Sequence, residues 1–546
     1  MGSGPGLPPL TLPPSSVTII VGPNNSGKSL LLRELDGFLR ADRRTDEFKI
    51  LGSVSFDPES VADCRADIDQ NTCNELDGEQ SLVDHCFYSR NGEKQQFHIP
   101  ILTTWLKNPT VDARFFKTYV KFNTIKLDGP NRIALVADKP LSDLTHTPQN
   151  RLAQLFRNRA NRYELRRVVF EAIQAHLVVD PTKLGHVRLR LSTVAPASDI
   201  EEEGIHGEAV EFHKRSLYIG DASDGIKAFC GILIELYAGD PKVLLIDEPE
   251  AFLHPSLAFL LGKAAAAKAQ TSGKQLIFST HSAHFLMGCI QSGAAVNVVR
   301  LTYSGGRATA RLLPNEQLVG FMRNPLLRSA GVLNGLFYEG VMVTEGDTDR
   351  AFYNEINERL LFENLQRGSR NCLFLNAQNK QTVRLIISLL RGLGIAAAGI
   401  VDIDVLKEGG NVWGNFLKSG GFPDATIAAL ALVRANLNTC LVATGKDMKR
   451  DGGIALLADD DLRAAIDLFD QLDGYGLFVV RGGEVESWLR ELGINGHAAN
   501  WLIPMFQRLG ENPRDSNYVH AGKGDVWEFL TKISRWIANP ERKGLH

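Results

Sequence analysis

The stretch Gly22-Pro-Asn-Asn-Ser-Gly-Lys-Ser29 has the pattern G-x-x-x-x-G-K-S, with the apolar run Val17–Val21 before it and the helix-like run Leu30–Leu35 after it. Glycines at the first and sixth positions let the backbone turn tightly, so that successive N–H groups and the N-terminus of the following helix point at one anion. The stretch therefore predicts a phosphate-binding loop between a strand and a helix, and with it a site for a nucleoside triphosphate.

Within this loop, the predicted contacts of ATP are Asn25, Ser26, Gly27, Lys28 and Ser29. Lys28 is expected to reach the β- and γ-phosphates, and the Ser29 hydroxyl is expected to ligate the Mg²⁺ ion that accompanies the nucleotide. The loop thus predicts one metal ion bound together with ATP.

Two adjacent carboxylates follow a second apolar run, Val243–Ile246, far downstream. A buried strand of this kind places Asp247 beside the phosphate loop, where it holds Mg²⁺ through Ser29 or through water, while Glu248 polarises the attacking water. We therefore predict that Asp247 and Glu248 complete the ATP site, with Glu248 in the catalytic role.

A histidine follows a third apolar run, Gln275–Phe278, within the sequence Ser279-Thr-His281. A histidine at a strand end can hydrogen-bond the γ-phosphate and so respond to its presence. A strand-terminal histidine on its own is more often structural, but its position behind the Asp247-Glu248 pair favours the functional interpretation. His281 is therefore a predicted ATP contact.

Length, charge and cysteine content limit the class of protein. A chain of 546 residues exceeds what one core usually supports, so two or three domains are expected. The net charge of −3 provides no global attraction to nucleic acid, which would have to bind through local basic patches or metal ions. Seven scattered cysteines without a C-x-x-C pair are typical of reduced thiols and predict no zinc site.

We expect no membrane-spanning stretch, and hence a cytoplasmic protein with no membrane partner.

A second group of carboxylates lies in the last third of the chain. The β-rich run Val341–Thr344 ends in Glu345-Gly-Asp-Thr-Asp349 at the head of a helix-like segment, and the later run Ile395–Val401 ends in Asp402-Ile-Asp404. Residues two apart on a strand face the same way, so Asp402 and Asp404 are expected to point together. Two like charges side by side are unfavourable unless a cation neutralises them, so the pair predicts a hard-metal site.

This order of a strand ending in Glu-Gly, a helix and a strand ending in Asp-x-Asp resembles the TOPRIM fold shared by topoisomerases, primases and OLD-family nucleases. The resemblance implies two Mg²⁺ or Mn²⁺ ions that stabilise the attacking and leaving oxygens of a phosphodiester. Its implied catalytic and metal-binding residues are Glu345, Asp349, Asp402 and Asp404, completed by Glu484 or Glu486, with Lys523 neutralising charge in the transition state. The choice between Glu484 and Glu486 stays open, and an ordinary solvated lysine is the alternative for Lys523.

The segment Glu248–Pro255 closely resembles ABC-type ATPases of the RecF, SMC and OLD group, and Ala222-Ser-Asp-Gly225 resembles their signature motif. In those families the signature of one subunit closes over the ATP bound by another. The resemblance therefore implies that Ser223 and Gly225 contact ATP in trans, within a homodimer or a larger homo-oligomer. The alternative is a helix N-terminus capped by Ser223, and both can hold at once. Gln149 is a weaker candidate for a residue that senses Mg²⁺ and the γ-phosphate.

An ABC-type ATPase fused to a TOPRIM domain resembles the OLD nucleases, a family that includes the nuclease subunit of the Gabija defence system and retron-associated effectors. The implied fold class is α/β: an N-terminal ABC-type (RecF/SMC-like) P-loop ATPase at 1–321, a linker at 322–335 and a C-terminal TOPRIM α/β domain at 336–546. A lateral lobe, with a candidate dimerisation insertion, is placed at about 40–210. Its predicted strands include Tyr119–Lys126 and Arg132–Val136.

The resemblance implies an ATP-regulated, divalent-metal-dependent endonuclease or nickase that acts on DNA in prokaryotic defence against phage. Two alternatives stay open. One is a toxin-like TOPRIM ribonuclease that cuts RNA such as tRNA, and the other is a non-cleaving, ATP-driven DNA clamp or sensor. A partner protein of the defence system or a non-coding RNA is a further expected partner.

Overall fold

The computed structural model describes residues 2–3, 8–13, 15–39, 47–54, 65–66, 68–69, 71–76, 78–90, 93–107, 119–141, 148, 150–304, 306–313, 315–323, 325 and 331–544. Contacts between Cα atoms divide the chain into two units, Met1–Val319 and Gly320–His546, each with its own central sheet. The domain boundaries given above remain predictions, and residues 324 and 326–330 of the predicted linker lie outside the described residues.

Seven strands form the central sheet of the first unit. In chain order they are β1 (Gly2–Ser3), β2 (Val17–Val21), β3 (Thr124–Leu127), β4 (Val243–Asp247), β5 (Gln275–Ser279), β6 (Val296–Ser304) and β7 (Arg307–Leu313). Their order across the sheet is β1-β7-β6-β2-β5-β4-β3, parallel from β6 to β3 with an antiparallel edge of β7 and β1. Because β5 lies between β2 and β4, the segments that follow these three strands meet at one edge of the sheet.

Helices and small sheets surround this central sheet. The helices are Lys28–Leu39 (α1), Ile99–Lys107, Lys121–Asn123, Gly129–Ala134, Arg151–Arg157, Arg159–Ile173, Asp199–Glu203, Gly207–Lys214, Asp224–Tyr237, Pro255–Ser272 and Ala283–Gln291, and Asn315–Arg323 runs across the division between the units. One small sheet contains Lys139–Pro140, His176–Asp180, His186–Ser192 and Leu217–Tyr218, a second contains Thr72–Cys73, His85–Arg90 and Glu93–His98, and a third pairs Glu75–Leu76 with Glu79–Gln80.

The strand predicted at Arg132–Val136 is wrong, because these residues belong to the helix Gly129–Ala134 and the turn that follows it. Asp128 caps this helix by accepting a hydrogen bond from the Asn131 backbone N–H at 3.2 Å, and a proline lies in its first turn. These local start signals outweigh the short apolar run. In the other predicted strand, Tyr119–Lys126, the residues from Thr124 onward belong to the strand Thr124–Leu127, whereas Lys121–Asn123 is helical.

The second unit is built on four parallel strands: β8 (Gly340–Thr344), β9 (Cys372–Asn376), β10 (Ala396–Asp402) and β11 (Leu477–Val480). Their order is β9-β8-β10-β11, and every residue of β8 and β11 is buried. Its helices are Asp347–Glu363 (α2), Lys380–Gly392, Gly410–Ser419, Asp424–Ala443, Asp459–Gly474, Ala499–Leu509 and Asp525–Ala538. Short 3₁₀ turns lie at Val332–Phe337, Ile403–Lys407, Gly453–Leu456, Val485–Ser487 and Arg490–Leu492. The carboxyl ends of β8, β10 and β11 therefore lie side by side at one edge of the sheet.

Among the described residues, one helix is long and apolar enough to cross a membrane by length and composition alone. Asp424–Ala443 has 20 residues and a mean hydropathy of 1.5 over its most apolar window, of which 17% is buried. The expectation that the chain contains no stretch long and apolar enough to cross a membrane is therefore wrong. Leu430, Leu437 and Leu441 of this helix are buried.

Candidate functional site

The predicted phosphate loop joins β2 to α1. Gly22, Asn25 and Gly27 have φ angles of +146°, +62° and +93°, so the loop passes through left-handed conformations that favour glycine and asparagine. A Cβ atom at Gly22 would lie 2.1 Å from the carbonyl oxygen of Leu301. The first glycine of the motif is therefore required both by its φ angle and by the close approach of β6.

The Lys28 side chain folds back over this loop. Its Nζ donates hydrogen bonds to the carbonyl oxygens of Gly22 at 2.8 Å and Pro23 at 2.7 Å, and the residue is only 4% exposed. Burial lowers the pKa of Lys28 to about 8, although Glu248 and Asp247 act in the opposite direction. A bound phosphate would stabilise the charged ammonium, so the loop, its helix N-terminus and Lys28 fit a nucleoside triphosphate.

Asp247 links the phosphate loop to the end of β5. One of its oxygens, Oδ1, accepts hydrogen bonds from the Ser29 hydroxyl at 3.0 Å and from the Ser279 hydroxyl at 2.6 Å. The structure therefore brings Ser29 and Asp247 together as the sequence predicted. Hydroxyl and carboxylate oxygens are the ligands that Mg²⁺ prefers, so this pair fits the metal ion that accompanies a nucleotide.

Glu248 and His281 lie at the same edge of the sheet. The Glu248 side chain is half exposed, and its Oε1 lies 3.8 Å from Nε2 of His281. Burial lowers the pKa of His281, and the nearby Lys28 ammonium lowers it further, so the imidazole is neutral at pH 7. The two side chains are therefore neighbours at this edge, and their action on the γ-phosphate stays a prediction.

Two residues that the sequence analysis missed position this edge. Arg132 is 1% exposed, and its Nη1 donates to the carbonyl oxygens of Asp247 at 3.2 Å and Glu248 at 2.7 Å. Glu250 accepts hydrogen bonds from the Thr280 hydroxyl at 2.8 Å and from the His281 backbone N–H at 2.6 Å. Arg132 escaped notice because its segment was predicted as a strand. The position of Glu250 directly after Asp247-Glu-Pro could have indicated that it belongs to the ATP site.

Ser223 and Gly225 begin the helix Asp224–Tyr237. The Ser223 hydroxyl accepts a hydrogen bond from the Ile226 backbone N–H at 3.4 Å, so the capping interpretation holds within one chain. A Cβ atom at Gly225 would lie 2.5 Å from the carbonyl oxygen of Phe252, so glycine lets this helix approach the turn after β4. The contact of these residues with ATP of another subunit stays a prediction, and Gln149 lies outside the described residues.

The second predicted site lies at the carboxyl ends of β8 and β10. Glu345 follows β8 directly, Asp402 is the last residue of β10, and the Asp402 backbone N–H donates to Oε1 of Glu345 at 2.9 Å. Carboxylate oxygens of Glu345, Asp402 and Asp404 lie within 4.8 Å of one another. The structure therefore brings these three predicted residues into one group.

The backbone conformation that places Asp404 beside Asp402 differs from the predicted one. The strand ends at Asp402, and Ile403–Lys407 is a 3₁₀ turn, so the alternation of side chains along a strand does not explain the pairing. Ile403 is fully buried, and its N–H donates to the carbonyl oxygen of Gly483 at 2.9 Å. This anchor turns Asp404 back toward Asp402.

An unpaired buried oxygen marks this group as a cation site. Oδ2 of Asp404 lies 3.1 Å from Nζ of Lys380, whereas Oδ1 is buried and has no hydrogen-bond partner. An unsatisfied buried carboxylate oxygen is costly, and a divalent cation is the partner that three clustered carboxylates favour. The residues present therefore fit a divalent metal ion.

Asp349, Glu484 and Glu486 form the other side of the site. Oδ2 of Asp349 accepts a hydrogen bond from the Gly346 backbone N–H at 2.9 Å. Burial raises the pKa of Asp349, and the nearby Glu486 and Glu484 raise it further. Ligand atoms of Glu484, Glu486 and His497 lie within 4.8 Å of one another, and Nδ1 of His497 is 2.8 Å from Oε1 of Glu486. Both glutamates are present, so the choice between them stays open, and His497 is an addition that the sequence analysis missed.

Two lysines have different positions relative to these carboxylates. Lys449, which the sequence analysis missed, places Nζ 2.7 Å from Oδ2 of Asp402 and 3.3 Å from Oε2 of Glu484. Lys523 is exposed, and no hydrogen bond or ion pair of its side chain is found among the described residues. Its loop is tied to the glutamate segment by Asp525, whose Oδ2 accepts from the Leu489 backbone N–H at 3.2 Å. The role predicted for Lys523 stays a prediction.

Burial and mutual repulsion raise the pKa values of the central carboxyl groups. Burial raises the pKa of Glu345 to about 8, and the neighbouring Asp402 contributes in the same direction. Burial likewise raises the pKa of Asp402 to about 7, against the opposing effect of the Lys449 ammonium. Divalent ions and protons therefore compete for these oxygens, and metal binding is expected to weaken as the pH falls through this range.

These raised pKa values predict a pH-dependent stability without metal. The pKa of Glu345 rises from 4.5 to about 8 on folding, so the folded state holds more protons between these values and loses stability as the pH rises through them. Glu345→Gln removes the ionisable group, so it is expected to melt several degrees above wild type at pH 8.5 in EDTA and with wild type near pH 4.5. Thermal melts at both pH values measure this, and an equal difference at the two values would contradict it.

Two family models match the chain. The model described as "AAA domain, putative AbiEii toxin, Type IV TA system" matches residues 130–287, which include Asp247, Glu248 and His281. The model described as "Overcoming lysogenization defect protein-like, TOPRIM domain" matches residues 336–404, which include Glu345, Asp349, Asp402 and Asp404. A search of curated proteins gave no match.

Solved structures of SMC head domains resemble the chain weakly. An SMC head bound to the C-winged helix domain of ScpA is 14% identical with a TM-score of 0.34, and the SMC head domain from Thermotoga maritima is 14% identical with a TM-score of 0.29. An SMC head domain with an extended coiled coil, bound to the C-terminal domain of ScpA derived from Pyrococcus furiosus, is 11% identical with a TM-score of 0.28. Each match covers 57% of this chain and 94% of the solved chain.

The family matches and the geometry agree on two modules. The first unit carries a phosphate loop whose Ser29 hydroxyl donates to Asp247, and the second carries a group of carboxylates suited to divalent ions at the end of a parallel sheet. The mixed α/β fold, the nucleotide site and the metal site are those of an enzyme with an ATPase module and a metal-dependent nuclease module. The chain contains an ATPase domain and an OLD-like TOPRIM domain, which is the domain combination of an OLD-family ATPase–TOPRIM fusion.

Proposed function

We propose that this chain is an ATP-regulated endonuclease or nickase that cuts DNA with two Mg²⁺ or Mn²⁺ ions, and that it serves cytoplasmic defence of a prokaryote against phage. The observation that carries the proposal is the group of Glu345, Asp402 and Asp404, with the unpaired buried oxygen of Asp404 among them. Three carboxylates gathered at adjacent strand ends repel one another unless cations or protons neutralise them, and a TOPRIM domain uses divalent cations on phosphodiesters.

The nuclease residues have separate tasks in this proposal. Glu345, Asp402 and Asp404 hold one divalent ion, while Asp349 and one or both of Glu484 and Glu486 hold a second. The ions supply stabilisation of the attacking and leaving oxygens of the phosphodiester. Backbone hydrogen bonds fix the ligands in advance, since Asp402 donates to Glu345 and Gly346 donates to Asp349.

The ATPase residues provide control. Asn25–Lys28 bind the phosphates of ATP, Ser29 and Asp247 hold its Mg²⁺, and Glu248 and His281 act at the γ-phosphate. Ser223 and Gly225 of a second subunit complete the site, so that ATP sets the assembly of a homodimer or larger homo-oligomer. A partner protein of the defence system or a non-coding RNA supplies the signal that links this assembly to infection.

A substrate assay tests the proposal against its alternatives. The purified chain is incubated with supercoiled plasmid and with total RNA, with Mg²⁺ or Mn²⁺, and with or without ATP. Nicked or linear plasmid with intact RNA is the expected result. Cut RNA with intact plasmid would replace the proposal with a toxin-like ribonuclease, an outcome consistent with the toxin in the name of the matched ATPase family. Binding of DNA without any cutting would replace it with a clamp or sensor.

A further inference from the structure

Lys449 is the cation that lies between the two acidic sides of the carboxylate site. Its Nζ contacts Asp402 at the end of β10 at 2.7 Å and Glu484 beyond β11 at 3.3 Å. These two carboxylates come from different strand ends, and Lys449 comes from the loop after the helix Asp424–Ala443. No motif singled it out in the sequence, so its position is a property of the fold alone.

The loop that carries Lys449 is packed against the segment that leads to Glu484. Gly483 has a φ angle of +129°, and a Cβ atom there would lie 1.9 Å from the carbonyl oxygen of Lys449. The Ile454 backbone N–H donates to the carbonyl oxygen of Arg481 at 3.0 Å, and Met448 is only 3% exposed. The backbone of Lys449 is therefore held in place by its neighbours, whereas its side chain remains about one quarter exposed.

Acidic groups outnumber basic groups around Lys449. The site contains the carboxyl groups of Glu345, Asp349, Asp402, Asp404, Glu484 and Glu486, and among the described residues the ammonium groups that contact them are those of Lys380 and Lys449. Lys380 divides its charge between Asp404 and Glu408, each at 3.1 Å. Lys449 is therefore the cation that directly neutralises Asp402 and Glu484 among the described residues.

A divalent ion on Asp402 and the ammonium of Lys449 compete for the same carboxylate. An ammonium 2.7 Å from Oδ2 would lie next to an ion bound to that oxygen, and two positive charges at such a separation repel strongly. Lysine carries its charge on a flexible four-carbon stem, so the ammonium can leave Asp402 without movement of the anchored backbone. The side chain is 27% exposed, so part of its surface faces solvent.

We propose that Lys449 is a placeholder cation that moves to the substrate. It neutralises Asp402 and Glu484 in the metal-free site, is displaced by the divalent ion that binds Asp402, and then holds a non-bridging oxygen of the scissile phosphodiester. This inference rests on the proposed nuclease function and deepens it, because it assigns to Lys449 the contact with a nucleic-acid phosphate. The ammonium thus inhibits metal binding and supports cleavage, two effects of opposite sign.

Lys449→Met separates these effects. Removal of the competing cation is expected to lower the dissociation constant of Mn²⁺, measured by EPR of free Mn²⁺, by about three- to tenfold. The same variant is expected to cut plasmid at least about tenfold more slowly at saturating Mn²⁺, because the phosphate contact is lost. Lys446→Met removes an exposed lysine of the same loop and is expected to leave both quantities unchanged.

The alternatives predict other combinations. Weaker Mn²⁺ binding together with slower cleavage would make Lys449 a structural residue and overturn the proposal. Tighter Mn²⁺ binding with unchanged or faster cleavage would leave it only an inhibitory cation and overturn the substrate contact. Lys449→Gln, which retains a polar side chain, provides the same comparison if the methionine variant does not fold. If wild type does not cut at all, the proposed function fails, while the Mn²⁺ measurement still tests the placeholder.

Discussion

Asp402→Ala is expected to abolish cleavage of supercoiled plasmid while ATP binding is retained. The Asp402 side chain contributes to the carboxylate group and contacts Lys449, and alanine removes both contributions. Loss of a single group that stabilises transition-state charge costs about 10²–10³ in rate, so loss of a shared metal ligand is expected to cost on the order of 10³ or more. Gel quantification of plasmid forms, together with an ATP-binding titration, measures both quantities.

Glu345→Ala is expected to give the same loss, because Glu345 belongs to the same group. Asp460→Ala is the control, since the Asp460 side chain is 89% exposed on a helix of the same unit. Cleavage by Asp402→Ala and Glu345→Ala at the wild-type rate would show that the carboxylate site is not the site of chemistry.

Lys28→Ala is expected to remove control by ATP. The Lys28 ammonium lies over the phosphate loop and is the cation that reaches the β- and γ-phosphates in such loops. Its loss is expected to raise the dissociation constant of ATP by a factor of about 10² or more, because the contact is a charge-assisted hydrogen bond in a partly buried site. Oligomer mass and the plasmid-cutting rate are then expected to be the same with and without ATP.

Light scattering measures the mass, and the plasmid assay measures the rate. Lys263→Ala provides the control, because Lys263 is an exposed lysine on the helix Pro255–Ser272 of the same unit. If Lys28→Ala retains the ATP response of wild type, nucleotide held by the phosphate loop is not the regulator.

Short apolar runs with polar endings allowed most of both sites to be predicted. The runs before Gly22, Asp247, Ser279 and Glu345 are strands as expected. Gly22 and Glu345 follow their strands directly, and Asp247 and Ser279 are the last residues of theirs. A parallel sheet gathers the carboxyl ends of its strands, so these local patterns are sufficient to bring Ser29 to Asp247. The same argument brought Glu345 to Asp402.

Residues that reach the two sites only through the folding of distant segments could not be predicted from local sequence patterns. Lys449 and His497 lie in loops without a motif and reach the carboxylates only because the loops fold back on β11 and its following turn. Arg132 donates a hydrogen bond to the carbonyl oxygen of Asp247 from a helix. The local apolar pattern of this helix had predicted a strand. Asp404 was predicted in the right group for the wrong reason, since a 3₁₀ turn anchored by Ile403 places it there.

ATP held by the first unit is expected to control metal-dependent cleavage by the second. The rate of plasmid cutting at fixed Mn²⁺ is measured as the ATP concentration is varied, with wild type and Lys28→Ala compared. The wild-type rate is expected to change with a midpoint equal to the dissociation constant of ATP, and the Lys28→Ala rate is expected to be flat. A flat wild-type rate across the range in which ATP binds would contradict it.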